Sequence, residues 1–205
     1  MIEVELKFEL LPTSWPRLEK QLTTMKSLRF LRNSDIYYDT IEFDLLRQAV
    51  FVRVRNHTSL EFKFNEQASP LHNQCTERVF PLVPELHQVR EMNALFSRYL
   101  PHWRPVDTVA EVMHKNSLVE LAQIENRRVQ YTYDNLVICV DQVEGLGDFL
   151  EVEMMCEEGS DTIEAEASMH CFASRFSARQ VRVGYVELWL QKHHPQAYQI
   201  GRYHL

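Results

Sequence analysis

Glycine is scarce in this sequence, at five of 205 residues. That argues against a Gly-rich phosphate loop and against a linker-rich or collagen-like chain. A basic surplus is also missing. The 22 Lys and Arg face 29 Asp and Glu, a net charge of −7, so no nucleic-acid partner is expected. No apolar run approaches the ~20 residues of a membrane span, so no membrane partner is expected. The chain opens Met-Ile-Glu-Val-Glu. This lacks the basic and apolar regions of a signal peptide, and a cytoplasmic location is expected. Cys75, Cys139, Cys156 and Cys171 form no CxxC pair and read as reduced thiols. The nine histidines show no metal spacing.

What is present is a single domain's worth of chain with strong period-two patterning. No stretch reads as a linker or a repeat, so residues 1–205 are taken as one domain. Ile2, Val4, Leu6, Phe8 and Leu10 alternate with Glu3, Glu5, Lys7 and Glu9. That is a strand with one apolar and one charged face. Similar alternation marks strands at 50–55, 60–64, 75–82, 127–133, 136–143 and 149–156. Asp134-Asn135 sits between two of these as a hairpin turn. Three-four spacing predicts helices from Trp15 to Met25 and from Leu86 to Leu100. Composition predicts another over Thr162–Phe176, and a fourth runs from Tyr185 to His194, halted by Pro195. The stretch from Val106 to Leu121 is ambiguous, read as a short helix with a strand-like end. Seven or more alternating strands with helices between them imply a barrel or a strongly curved sheet.

For any one strand, the ordinary arrangement is charge outward. The helices, however, carry apolar stripes that must pack on something, and the apolar strand faces are the available partner. The charged faces then line an interior that must be wet and paired. That interior holds an acidic set, Glu3, Glu5, Asp141, Glu151 and Glu153, and a basic set, Lys7, Arg53, Arg55, Lys63 and Arg128. Carboxylates at this density repel each other unless a hard divalent cation sits among them, and Mg²⁺ or Mn²⁺ suits oxygen-only ligands. Converging Arg and Lys match the oxygens of a polyphosphate. Together the two sets are what metal-assisted phosphoryl chemistry needs. Glu61 and Glu77 share the inward parity and read as partners of the basic residues. Of the adjacent Arg127 and Arg128, only one points inward.

These pieces, in this order, resemble the CYTH superfamily of triphosphate tunnel metalloenzymes. Glu3-Val4-Glu5-Leu6-Lys7 is an ExExK motif. Tyr37-Tyr38-Asp39-Thr40, Val52-Arg53-Val54-Arg55, Glu61-Phe62-Lys63, and Arg128 with Tyr131 follow it. Asp141, Gly145-Leu146-Gly147 and Phe149-Leu150-Glu151-Val152-Glu153 complete the set. The resemblance implies an α+β fold, a closed antiparallel eight-stranded β-barrel forming a tunnel with surrounding helices. It implies a triphosphate substrate with Mg²⁺ or Mn²⁺. The resemblance favours Arg128 over Arg127 as the inward arginine. It also implies Glu5, Tyr38 and Glu153 as candidate catalytic groups, although a residue like Tyr38 is more often a packed strand aromatic.

The C-terminal run from Leu188 to Gln199 is similar to the tail of animal thiamine triphosphatases. That tail carries a lysine near Tyr185, and Lys192 is the candidate replacement for binding triphosphate. Trp15 is a candidate for ring stacking, with a packing role favoured. Hydrolysis of thiamine triphosphate is therefore the expectation, by a monomer or weak homodimer. Inorganic triphosphatase, class IV adenylate cyclase and a non-catalytic polyphosphate-binding module are the alternatives.

Overall fold

A computed structural model describes residues 2–64, 76–157 and 162–205, apart from the side chains of residues 2 and 3. Cys75 lies outside the described residues. The strands are β1 (Ile2–Leu10), β2 (Lys26–Asp39), β3 (Phe51–Arg55), β4 (Ser59–Phe64) and β5 (Thr76–Pro81). They continue with β6 (Val119–Tyr133), β7 (Leu136–Val143), β8 (Gly147–Cys156) and β9 (Ala178–Val181). The helices are α1 (Trp15–Leu22), α2 (Leu86–Tyr99), α3 (Val109–Lys115), α4 (Ile163–Ala173), α5 (Tyr185–His193) and α6 (Pro195–Ile200).

All nine strands form one sheet in the order β5-β4-β3-β2-β6-β7-β8-β1-β9, and every pairing is antiparallel. Among the described residues the sheet has nine strands where eight were expected, and no ladder joins β5 to β9. The curvature is nevertheless strong. The Lys63 Nζ on β4 lies 3.8 Å from a Glu5 carboxylate oxygen on β1, although five strands separate the two in the sheet order.

The strand alternation sorts side chains as expected. Val4, Leu6, Phe8 and Leu10 of β1 join Leu150 and Val152 of β8 and Ile138 and Val140 of β7. Ala165, Met169 and Phe172 of α4 cover them, one apolar stripe of a helix on one apolar strand face. On the other flank, Val52, Leu60, Phe62 and Phe64 pack with Met92 and Phe96 of α2. The α2 start is fixed by a capping box, in which the Gln88 side chain accepts from the Glu85 backbone N–H at 2.9 Å. A third cluster joins Tyr37, Phe51, Ile124, Val143 and Phe149 to Val186, Leu190, Ala197 and Tyr198. Helices α5 and α6 thus pack against one end of the curved sheet.

Two strands escaped the periodicity reading. In β2 the first five residues are exposed and alternation starts only near Leu31, so its N-terminal half shows no buried face. With four residues, β9 is too short to show a period. The ambiguous stretch resolves into α3 followed by the start of β6. Pro195 ends α5 but occupies the first position of α6, where its missing N–H costs nothing. The hairpin at Asp134-Asn135 joins β6 to β7, with Asp134 at φ 52°. Within the described residues, no helix is long and apolar enough to cross a membrane.

Candidate active site

The concave face of the sheet encloses a cavity of about 280 Å³. It is lined from β1 by Glu5 and Lys7, from β3 by Arg53 and Arg55, from β4 by Lys63, from β6 by Arg128, and from β8 by Glu151 and Glu153. Most reach it by one rule: strand neighbours such as Val4, Leu6, Val52, Phe62 and Val152 are apolar and face the helices, so period two turns the charged residue inward, whereas Arg128 follows the exposed Arg127.

On the β1–β8 side, one oxygen each from Glu5, Glu151 and Glu153 lie within 4.8 Å of one another. Register explains this. Glu5 is opposite Glu153 and Lys7 is opposite Glu151 in the β1–β8 ladder. The Lys7 Nζ contacts Glu151 at 2.9 Å and Glu5 at 3.2 Å. Burial disfavours its charge, but Glu151 and Glu5 outweigh that and hold the ammonium above its ordinary pKa. Arg128 lies opposite Asp141 in the β6–β7 ladder and donates to it through Nε at 2.7 Å and Nη2 at 2.6 Å. The same guanidinium reaches Glu151, and Glu153 at 3.4 Å. Asp141 is fully buried and also accepts from the Tyr185 hydroxyl at 2.6 Å. Its carboxyl is pushed up by burial and by Glu151, against the pull of Arg128.

On the β2–β3–β4 side, Asp35 accepts both Nε and Nη2 of Arg55 at 2.7 Å. The Arg53 Nε donates to Glu61 at 2.8 Å, and its Nη1 reaches Asp35 at 3.3 Å and the Tyr37 hydroxyl at 3.2 Å. Lys63 bridges to Glu77 at 3.4 Å. Burial would raise the Glu77 pKa, but Lys63 and Arg53 outweigh it and hold the carboxyl below its usual range.

Of the sequence-predicted set, Glu5, Lys7, Arg53, Arg55, Lys63, Arg128, Glu151 and Glu153 are brought together. Asp141 sits beside them, committed to Arg128 and Tyr185 and outside the three-carboxylate group. Glu3 pairs with Met155 through its backbone, but its side chain lies outside the described residues. Glu61 and Glu77 do partner basic residues, and Arg127 faces outward, as expected.

Two placements differ from expectation. Tyr38 packs against the α2-side core with Val52, while its neighbour Tyr37 lines the cavity. Asp35 and Tyr37 keep the inward parity of β2, and the β2–β6 register shifts just after Tyr37. Lys192 donates to the Gly145 carbonyl at 2.6 Å, outside the cavity. It stands seven residues beyond Tyr185, about 10 Å further along the helix axis. That offset carries it past the end of the cavity. Trp15 packs against the α4-side cluster, and its Nε1 donates to Asp148 at 3.2 Å.

Sequence reasoning missed Asp35, Tyr37, Asn126, Tyr185 and Glu187 as cavity-lining residues. Asp35 carried a signal, since it shares the parity of Tyr37 and would be needed to neutralise two inward arginines.

The donor set fits a hard divalent cation. Three carboxylate oxygens converge, and no nitrogen or sulfur ligand is required. A CYTH domain model matches residues 1–181. The chain belongs to the CYTH family. No curated protein matches it in sequence. Among solved structures, the PH1819 protein of Pyrococcus horikoshii OT3 is 20% identical, with a TM-score of 0.67 over 93% of this chain and 99% of that one. A candidate adenylate cyclase of Vibrio parahaemolyticus is 14% identical, with a TM-score of 0.61 over 92% and 98%. HpAC1 of Hippeastrum, a candidate adenylyl cyclase reported to have a dominant triphosphatase activity, is 19% identical, with a TM-score of 0.61 over 95% and 97%. At these identities the structural likeness speaks for the fold.

Proposed function

We propose that this CYTH protein is a metal-dependent hydrolase of triphosphate substrates. The observation that carries the reading is a single cavity in which three convergent carboxylates face six cationic side chains, Arg29 among them. Glu5, Glu151 and Glu153 would hold Mg²⁺ or Mn²⁺, with Glu3 as a further ligand and Asp141 beside them, hydrogen-bonded to Arg128 and Tyr185. The bound cation supplies charge neutralisation at phosphate oxygens and a water of lowered pKa.

Lys7, Arg53, Arg55, Lys63 and Arg128 grip the non-bridging oxygens and orient the chain for in-line attack by water on the terminal phosphorus. The P–O–P bond breaks, and inorganic phosphate departs from the diphosphate product. Asp35 and Glu61 keep Arg53 and Arg55 aimed inward. The curved sheet limits water around the reacting phosphate, which strengthens each of these interactions. The dominant triphosphatase activity reported for HpAC1 agrees with hydrolysis rather than cyclisation.

The proposed substrate is thiamine triphosphate, supported by the similarity of residues 188–199 to the tail of thiamine triphosphatases. Inorganic triphosphate is the second reading, favoured by the tyrosine at 185 where that tail carries a lysine. The experiment is phosphate release from thiamine triphosphate, inorganic triphosphate and ATP side by side, with Mg²⁺, Mn²⁺ or EDTA. Release that EDTA abolishes supports the hydrolase, and the preferred compound decides between the two substrates. Absence of release from all three would leave a non-catalytic anion-binding module.

A further inference from the structure

The stretch matched by the family model ends at Val181, yet α5 begins four residues later and places Tyr185 in the cavity. Building on the triphosphatase reading above, we propose that Tyr185 is a positioning residue for the anion grip. Its ring steadies Lys7, and its hydroxyl steadies Arg128 by way of Asp141.

Four contacts carry this. The Tyr185 hydroxyl donates to Asp141 Oδ2 at 2.6 Å. The two oxygens of Asp141 accept the Arg128 fork at 2.7 and 2.6 Å. The Lys7 Nζ stands 4.3 Å from the centroid of the Tyr185 ring. The ring is itself fixed edge-on by Phe149, with centroids 5.0 Å apart and planes at 62°.

The chemistry of each contact suits the role. A carboxylate has about four acceptor sites, and the fork and the phenol together fill three of those on Asp141. Asp141 is fully buried, so its oxygens have no solvent to turn towards, and the guanidinium is held in one orientation. The aromatic face attracts the Lys7 ammonium through its quadrupole without adding a negative charge. Lys7 is therefore held in place while its charge still faces the cavity. A lysine at position 185 would supply a further cation but repel Lys7. Tyrosine instead orients cations that the strands already provide.

The test compares wild type, Tyr185→Phe and Tyr185→Leu as full-length chains. Tripolyphosphate affinity is measured by calorimetry in EDTA, KM and kcat for phosphate release in Mg²⁺, and melting temperature as the fold control. Tyr185→Phe keeps the ring and is expected to bind about tenfold more weakly, the loss of one hydrogen bond in a buried charged network. Tyr185→Leu also loses the ring, and about a hundredfold is expected. KM should follow the affinities while kcat changes less, with the melting temperature of Tyr185→Phe close to wild type.

A merely structural role would not give the coupling expected in double variants. With Lys7→Met, the step from Phe to Leu at position 185 disappears. With Asp141→Asn, the step from Tyr to Phe disappears. Additive losses overturn the proposal. If wild type hydrolyses tripolyphosphate and Tyr185→Leu binds and turns it over equally well, the hydrolase stands and the role of Tyr185 falls. If wild type neither binds nor hydrolyses tripolyphosphate, thiamine triphosphate or ATP, the triphosphatase reading fails first and this inference falls with it.

Discussion

The two sides of the cavity are built from the same residue types but balanced differently. On the β2–β3–β4 side, Arg53 and Arg55 meet Asp35 and Glu61, two cations for two carboxylates, within 3.3 Å for the principal pairs. On the β1–β6–β7–β8 side, Lys7 and Arg128 meet Glu5, Asp141, Glu151 and Glu153, two cations for four carboxylates. Lys63 reaches this side only at 3.8 Å and is shared with Glu77. The first side is neutral within itself and needs no further ion to be stable. The second carries two excess negative charges in a partly buried space, the deficit a divalent cation would cancel. On the proposed reading, the difference points to the acidic wall for the cation, with Arg53, Arg55 and Lys63 of the opposite wall joining Lys7 and Arg128 on the anion.

The largest expected effect comes from changing the acidic wall. Glu151→Gln removes a proposed ligand that also contacts Lys7 and Arg128. Metal-dependent phosphate release should fall by at least about a hundredfold. Steady-state assays across Mg²⁺ concentrations check it, and near-normal turnover would break the assignment.

Next is Arg53→Met on the neutral wall. It removes the 2.8 Å arginine partner of Glu61 and one of the two arginines on Asp35, both carboxylates nearly buried, and should destabilise the fold by about 3 kcal/mol in denaturant titrations. Arg55→Met exposes a less buried pair and should cost less stability while still raising KM. Equal stability losses would show that the two arginines do not differ in this way.

A smaller effect is expected from ligand alone. Tripolyphosphate at a hundred times its Kd should stabilise the native state by about 2.7 kcal/mol, read as a rise in Tm. Arg53→Met should reduce that rise.

The smallest effect concerns pH. Glu77 is held below its usual pKa by Lys63 and Arg53, so it contributes stability that is present above the unfolded carboxyl pKa. That contribution is lost as pH falls through the lower folded value. Glu77→Gln should therefore flatten the acid limb of the stability curve slightly, since the side chain is 43% exposed.

Much of this site was legible because alternation is strict in β1, β3, β4 and β8. Val4 and Leu6 bracket Glu5, and Leu150 and Val152 bracket Glu151, so inward and outward faces follow from spacing alone. Legibility failed where the period breaks or where a side chain comes from another element. The family resemblance, rather than strand parity, points to Tyr38, and the first five residues of β2 are all exposed and reveal no face by which Tyr37 could be preferred. The charge of two inward arginines points to a carboxylate such as Asp35, but no strand period locates it. Tyr185 and Lys192 lie on one helix seven residues apart, and no spacing rule says which turn meets the cavity. That depends on how α5 packs through Val186 and Leu190. The four-residue β9 left no period to read.

The most direct test of the divided cavity is an electron-paramagnetic titration of Mn²⁺ into the protein without substrate. The account predicts a bound ion in wild type, retained in Arg55→Gln and lost or weakened at least about tenfold in Glu151→Gln. Binding that survives Glu151→Gln, or that disappears in Arg55→Gln, would contradict it.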